Sequence, residues 1–201
     1  MRKIIFSVLA LSALVTMAFK MNMGLPIGSE MPKSDVKLKD VSGKDISMRE
    51  IVKHHGVLVM FSCNTCPYVV KNQTRTIEIC DYAQKNEIGV IVLNSNEAYR
   101  GDEDSFDAMK AYAKEQKYNW SYALDKDHMI ADAFGANRTP ECFLFDGSLK
   151  LVYHGAIDDN PSDASDIKRH HLREAINELA AHQAVTVTET KSVGCSIKRK
   201  K

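Results

Sequence analysis

Apolar residues in this chain fall into short blocks separated by polar and turn-forming stretches, and the blocks follow two different periods. Val57-Leu58-Val59-Met60-Phe61 and Ile88-Gly89-Val90-Ile91-Val92-Leu93 are continuous apolar runs, the pattern of strands covered on both faces. Val36-Lys37-Leu38-Lys39-Asp40 alternates, Ser42-Gly43-Lys44-Asp45 turns, and Ile46 resumes. This predicts a β-hairpin feeding a short helix over residues 48–54. A longer helix is predicted after the first run, to about residue 85, with Val70, Thr74, Ile77, Ile79, Cys80 and Tyr82 as packing positions. Further helices are predicted over residues 104–115, 129–134 and 167–181, the last with Leu172, Ala175, Ile176 and Leu179 on one face. A short strand is predicted at Tyr122-Ala123-Leu124, and residues 142–153, turning at Asp146-Gly147-Ser148, read as a hairpin. Strands alternating with helices, then a hairpin and a closing helix, predict a single-domain α/β sandwich: a central mixed β-sheet flanked by helices.

The two ends differ from this body. Met1-Arg2-Lys3 precedes a 16-residue uncharged run from Ile4 to Phe19, and Thr16-Met17-Ala18 offers small residues for cleavage. That pattern predicts a signal peptide over residues 1–18 and a periplasmic or secreted protein. A membrane association would follow only if the segment stays uncleaved as an anchor. Residues 19–34, with Gly24, Pro26, Gly28 and Pro32, read as a linker, residues 35–183 as the folded domain, and residues 184–201 as a basic tail. The formal net charge is +1, yet seven basic residues lie at the ends: Arg2, Lys3, Lys191, Lys198, Arg199, Lys200 and Lys201. Removing those seven from 27 leaves 20 basic residues against 26 acidic ones. Such a body is a poor nucleic-acid surface, and no nucleic-acid partner is expected.

The chemistry concentrates at Cys63-Asn64-Thr65-Cys66, which follows a buried strand and opens a helix. Free N–H groups and the helix dipole at such a terminus favour a thiolate. Two intervening residues allow the sulfurs to close and reopen a disulfide. Cys63, expected at the exposed helix start, is assigned as nucleophile and Cys66 as the resolving thiol. The plainer readings are a static disulfide or half of a zinc site. Zinc is disfavoured because no second CxxC or H-x₃₋₅-H accompanies the pair, so no metal is expected. Cys80 and Cys142 fall in apolar contexts and read as core residues. His54-His55 and His170-His171 are adjacent pairs that would point to different helix faces and not chelate together. Asp158-Asp159-Asn160, with Asp163 and Asp166, lacks calcium-loop order and reads as a polar loop with a helix cap.

Thr139-Pro140, entering a predicted strand long after the CxxC, completes a larger pattern with Phe61-Ser62-Cys63-Asn64-Thr65-Cys66-Pro67-Tyr68-Val69, Leu93-Asn94-Ser95-Asn96, Arg138-Thr139-Pro140-Glu141, Ile157-Asp158-Asp159-Asn160 and Gly194-Cys195-Ser196-Ile197-Lys198. On these segments the chain resembles the thioredoxin superfamily over residues 36–181. It is most similar to a CxxC-bearing, peroxiredoxin-like branch of the alkyl hydroperoxide reductase and thiol-specific antioxidant group, the redoxins. The resemblance implies a thioredoxin-like fold, with Pro140 cis and facing the sulfurs, and with the Thr139 backbone free to pair with an extended substrate. An ordinary strand-entry proline is the alternative.

The resemblance is incomplete. A peroxiredoxin proper carries Pro and Thr or Ser seven and three residues before its peroxidatic cysteine, where this chain has Gly56 and Met60. Thioredoxins usually bury an acid six residues before the first cysteine, where this chain has Val57. The leading expectation is therefore an exported thiol-disulfide oxidoreductase whose only redox group is the Cys63–Cys66 disulfide, without a bound cofactor. Its partners would be thiol- or disulfide-containing proteins or small thiols, together with an electron donor or acceptor. The alternatives are a thiol peroxidase with Cys63 peroxidatic, and a non-catalytic thioredoxin-fold binding module. Cys195, among basic neighbours that should favour its thiolate, is a candidate accessory thiol if the tail folds back, and an incidental one if the tail is disordered.

Overall fold

The computed structural model describes residues 24–200, so the signal segment expected over residues 1–18 lies outside the described residues. In chain order the elements are β1 (Leu38–Asp40), β2 (Asp45–Ile46), α1 (Met48–Ile51), β3 (Gly56–Ser62), α2 (Pro67–Lys85), β4 (Ile88–Asn94), α3 (Phe106–Glu115), β5 (Ser121–Leu124), α4 (Met129–Phe134), β6 (Arg138–Thr139), β7 (Glu141–Phe145), β8 (Leu151–Gly155), α5 (His171–Ala180) and β9 (Cys195–Ser196). Seven strands form one sheet in the order β2-β1-β5-β4-β3-β7-β8, and β6 pairs separately with β9. The β3–β4 and β4–β5 pairs are parallel, while β7 lies antiparallel against the other side of β3. This is the mixed, helix-flanked sheet of a thioredoxin-like domain.

Every residue of β3 and β4 is buried, and alternation sends successive side chains into two separate cores. Leu58, Met60, Val90 and Val92 meet Ile79 of α2, Met109 of α3 and Leu172 of α5 on one face. Val57, Val59, Phe61, Ile91 and Leu93 meet Met48 of α1 and Phe134 of α4 on the other. Cys80 and Cys142 lie in the first core, where burial pushes both thiols up. Gly56 has φ +128°, and a Cβ there would lie 1.9 Å from the Phe145 carbonyl oxygen. Only glycine lets β7 approach β3 at that point. Among the described residues, no helix is long and apolar enough to cross a membrane.

Several element boundaries differ from the sequence expectation. Helix α1 stops at Ile51 because Lys53 and Gly56 exchange backbone hydrogen bonds across a turn, and that turn carries His54 and His55. The last helix starts at His171, four residues late, because residues 167–170 are drawn out against Asp159, which bonds Lys168 N–H through its carboxylate and Arg169 O through its own N–H. Residues 24–34 run along the domain, with Gly28 and Met31 N–H groups donating to the Leu151 and Leu149 carbonyls. Met31 is buried there.

The largest difference concerns α2. Val70 is 57% exposed and Thr74 is also exposed, while Asn72 and Arg75 are buried. The first turns of α2 pack under the 158–161 loop. Arg75 donates to both Asp158 carboxylate oxygens, at 2.8 and 2.7 Å, and to the Asn160 and Pro161 carbonyls. Asn72 also donates to Pro161 O. Removing one partner of a buried ion pair leaves the other charge uncompensated, at a cost of about 3–5 kcal/mol. Arg75→Met is accordingly expected to lower the urea-unfolding free energy by about that much, and adding Asp158→Asn should recover part of the loss. Equal stability of Arg75→Met and the wild type would show that the pair contributes little.

Candidate active site

The C-terminal end of β3 delivers Cys63, and Cys66 is the N-cap of α2, with Pro67 in the first turn. Proline suits that turn because its missing N–H has no intrahelical partner to lose. Both cysteines are covered, Cys63 at 1% exposure and Cys66 at 5%, whereas Thr65 between them is exposed. The structure thus corrects the expectation that Cys63 lies at an exposed helix start, since the helix starts at Cys66.

Opposite the pair stands the Thr139–Pro140 peptide, which is cis. Cys63 Sγ lies 3.6 Å from Thr139 Oγ1, and Cys66 Sγ lies 3.4 Å from the Thr139 carbonyl oxygen. The four residues singled out in sequence, Cys63, Cys66, Thr139 and Pro140, therefore meet at one place. All five cysteines are free thiols in this structure.

The two thiols of the pair titrate together. As a thiol, Cys66 donates to Thr139 O. The neighbouring Cys63 and Cys195 thiols, the backbone at Val69 and the Thr139 hydroxyl all favour its thiolate form. Cys66 is held well below the usual thiol range, chiefly by Cys63 and against the opposing effect of burial. Cys63 is pushed up, first by the hydrogen bond it gives Cys66, then by burial and by the negative charge of Asp104.

A buried polar network, unread in the sequence, fixes the loop between the cysteines. Asp104 is fully buried and accepts from Asn64 N–H at 2.9 Å, Asn94 Nδ2 at 2.7 Å and Asn96 Nδ2 at 2.8 Å. Tyr122 Oη donates to Asn64 Oδ1 at 2.8 Å, and Asn64 Nδ2 donates to Glu103 O. The available signal was Asn94-Ser95-Asn96 directly after a buried strand, since polar groups at the carboxyl ends of parallel strands commonly line sites.

The C-terminal tail also enters the site. Strand β9 pairs antiparallel with β6, placing Cys195 opposite Thr139 and Ser196 opposite Arg138. Cys195 packs beside Cys63, Cys66 and Val69, half-buried. This corrects two expectations: the segment is seated along a fixed path, and the Cys195 thiol is raised, by burial first and by Cys66 next, with Lys198 opposing only weakly.

A family model described as AhpC/TSA family matches residues 27–154. The chain belongs to the AhpC/TSA family. An uncharacterized conserved protein from Geobacillus kaustophilus is 30% identical, with a TM-score of 0.81 over 87% of this chain and 93% of that one. PrxQ from Xylella fastidiosa shares the fold at 13% identity and TM-score 0.59, over 80% of this chain and 98% of its own. The thioredoxin domain of a thiol-disulfide oxidoreductase from Bacteroides vulgatus does so at 20% identity and TM-score 0.53, over 65% and 88%. Comparison with curated proteins finds no match. The family comprises thiol oxidoreductases and peroxidases, so at that level this AhpC/TSA protein is a thiol-redox protein.

Two of the positions that depart from the peroxiredoxin and thioredoxin patterns are core positions here. Met60 and Val57 are both fully buried and face the two opposite cores. At the other end of β3, the expectation for His54-His55 is corrected. The pair sits in a turn, not on a helix, and with His182 its ring nitrogens lie within 4.8 Å of one another. His55 Nδ1 is 2.8 Å from Asn86 O, which leaves Nε2 free. Three such imidazoles can hold a borderline divalent cation.

The thiolate assignment can be tested by alkylation. At pH 6 to 7 the reduced protein is expected to take iodoacetamide at Cys66 before Cys63, with reactivity persisting well below the usual thiol pKa of about 8.5. Peptide mapping that found Cys63 alkylated first would reverse the assignment.

Proposed function

We propose that this protein is an exported thiol-disulfide oxidoreductase that cycles Cys63 and Cys66 between dithiol and disulfide by exchange with other thiols. The observation that carries the reading is the facing arrangement of two cysteine sulfurs and the Thr139 backbone, with an extended strand already paired on Thr139. Thiol-disulfide exchange requires in-line approach of one sulfur to another, and main-chain pairing beside the sulfurs is a means of fixing that approach. The disulfide itself is the redox group, and the scheme uses no further cofactor. Export rests on the sequence of residues 1–18.

Within the cycle we assign the attacking thiolate to Cys66 and the closing thiol to Cys63, the reverse of the roles expected from the sequence. A low thiol pKa makes Cys66 a good leaving group when another thiol attacks. The partners are thiol- or disulfide-containing proteins or small thiols, with an electron donor or acceptor completing turnover.

A second reading, thiol peroxidase, draws on the Thr139 hydroxyl 3.6 Å from Cys63, the kind of donor a peroxide oxygen needs. Cys63, however, is 1% exposed and its thiol is pushed up, whereas a peroxidatic cysteine must react as an accessible thiolate.

Turnover of a disulfide reporter such as oxidised glutathione or insulin with dithiothreitol tests both readings. The wild type is expected to accelerate exchange, and Cys63→Ser and Cys66→Ser should each fall at least about 100-fold toward background, as loss of a covalent catalytic group does. Peroxide consumption should stay near that of a free thiol. Activity retained in the double variant would sink the exchange reading, and fast peroxide turnover dependent on Cys63 would promote the second.

A further inference from the structure

We propose that β9 is a built-in substrate strand and that Cys195 is the third redox thiol of the site, passing disulfide between Cys66 and small thiols outside. The inference rests on the exchange reading above and names its immediate reaction partner.

The seating of the tail is specific. A Cβ on Gly194 would lie 2.1 Å from the Thr139 carbonyl oxygen, so glycine is required for the strand to approach Thr139 this closely. One residue later, Cys195 stands opposite Thr139 in the register. Beyond it the chain is clipped at successive points. Ile197 is 5% exposed and donates its N–H to Asn137 O. Lys198 N–H donates to Asn96 Oδ1 at 2.8 Å, and its carbonyl accepts from Ala98 N–H at 2.8 Å. Arg199 pairs with Asp132 at 2.7 Å and donates to Ala136 O. An extended segment paired beside the reactive sulfurs is how a peptide substrate is held by strand addition, and here the chain supplies that segment itself.

The sulfurs are placed to react. Cys195 packs directly against Cys63, Cys66 and Val69, beside Tyr68 in the first turn of α2. Both thiols therefore lie at one helix N-terminus, whose dipole favours a thiolate. Cys195 is half-buried, while Cys63 and Cys66 are 1% and 5% exposed. An outside thiol meets Cys195 first. It would do so at a recess of about 240 Å³ lined by Thr65, Pro67, Asn96, Tyr99 and Lys198 together with the three cysteines and Ser196, a volume for a small molecule rather than a protein surface.

The relay balances without an outside oxidant in its first step. Starting from the Cys63–Cys66 disulfide, Cys195 attacks Cys66 Sγ. The Cys66–Cys195 bond forms, the Cys63–Cys66 bond breaks, and the proton leaving Cys195 ends on Cys63. A small thiol then attacks Cys195, and Cys66 leaves as thiolate. A second small thiol attacks the mixed disulfide, freeing the small-molecule disulfide and restoring the Cys195 thiol. The net change is two thiols oxidised to one disulfide and the Cys63–Cys66 pair reduced by two electrons. Run backwards, the same steps reduce a small disulfide.

The test uses the full chain. Oxidised with diamide and mapped by non-reducing peptide mass spectrometry, Cys63→Ser is expected to carry a Cys66–Cys195 linkage as its main product. Gly194→Val in that background keeps every sulfur but displaces the strand, and should lose most of the linkage. In a second measurement, oxidised Cys195→Ser should retain the Cys63–Cys66 disulfide while oxidising glutathione at least about tenfold more slowly than the wild type. Failure to form the Cys66–Cys195 linkage, or an unchanged rate in Cys195→Ser, overturns the relay while leaving the exchange reading in place. Absence of a Cys63–Cys66 disulfide in both the wild type and Cys195→Ser overturns the two together.

Discussion

The site is organised around one residue, Thr139, whose hydroxyl faces Cys63, whose carbonyl faces Cys66 and whose backbone pairs with Cys195. Its position is set by Glu141. One Glu141 oxygen accepts from the Asn137 and Arg138 N–H groups, at 2.7 and 2.8 Å, and the other lies 2.8 Å from His154 Nε2. The His154 ring in turn stacks on Phe143, with centroids 4.2 Å apart and planes 17° from parallel. Hydrogen bonds to a carboxylate contribute about 1.5–3 kcal/mol each, so a buried side chain at the first residue of β7 fixes the backbone that the sulfurs address.

The loop that carries the cysteines is held by a similar device on the other side. Asp104 gathers Asn64, Asn94 and Asn96 around one buried carboxylate, joining the CxxC loop to the end of β4. A second buried carboxylate, Asp125, accepts from Ser95 Oγ and from the Ile130 and Ala131 N–H groups at the start of α4. Buried acids are tolerated in such places because each is matched by several donors. The result is a rigid frame with two thiols in it, and rigidity matters because a disulfide forms only over a narrow range of sulfur geometry.

The strands and most helices were legible because continuous apolar runs and turn residues report burial directly, as at Val57-Leu58-Val59-Met60-Phe61 and Asp146-Gly147-Ser148. The meeting of Cys63, Cys66, Thr139 and Pro140 was legible only through the family resemblance, since nothing in their spacing brings residue 139 to residue 63. The packed face of α2 was misread because it contains Asn72 and Arg75, which are buried by pairing with the 158–161 loop and so carry no apolar signal. The seating of the tail and the approach of His182 to His54-His55 left no signal for a related reason. A strand of two residues has no period to detect, and a turn at His54-His55 that approaches residue 182 is a long-range event.

Seating the tail also resolves a difficulty in the chemistry of the pair. A thiolate stabilised by the N-terminus of α2 would react with any thiol or oxidant that reached it, yet Cys66 is only 5% exposed. The cover is made by the same strand that supplies Cys195, so access to the thiolate and contact with the third thiol are one structural state. Lifting the strand would take Cys195 away from Cys66 and open the pair to solvent together. Closure therefore limits which sulfur can reach the pair. A site of this form selects its partner by geometry first, admitting the sulfur already registered against Thr139 before any other.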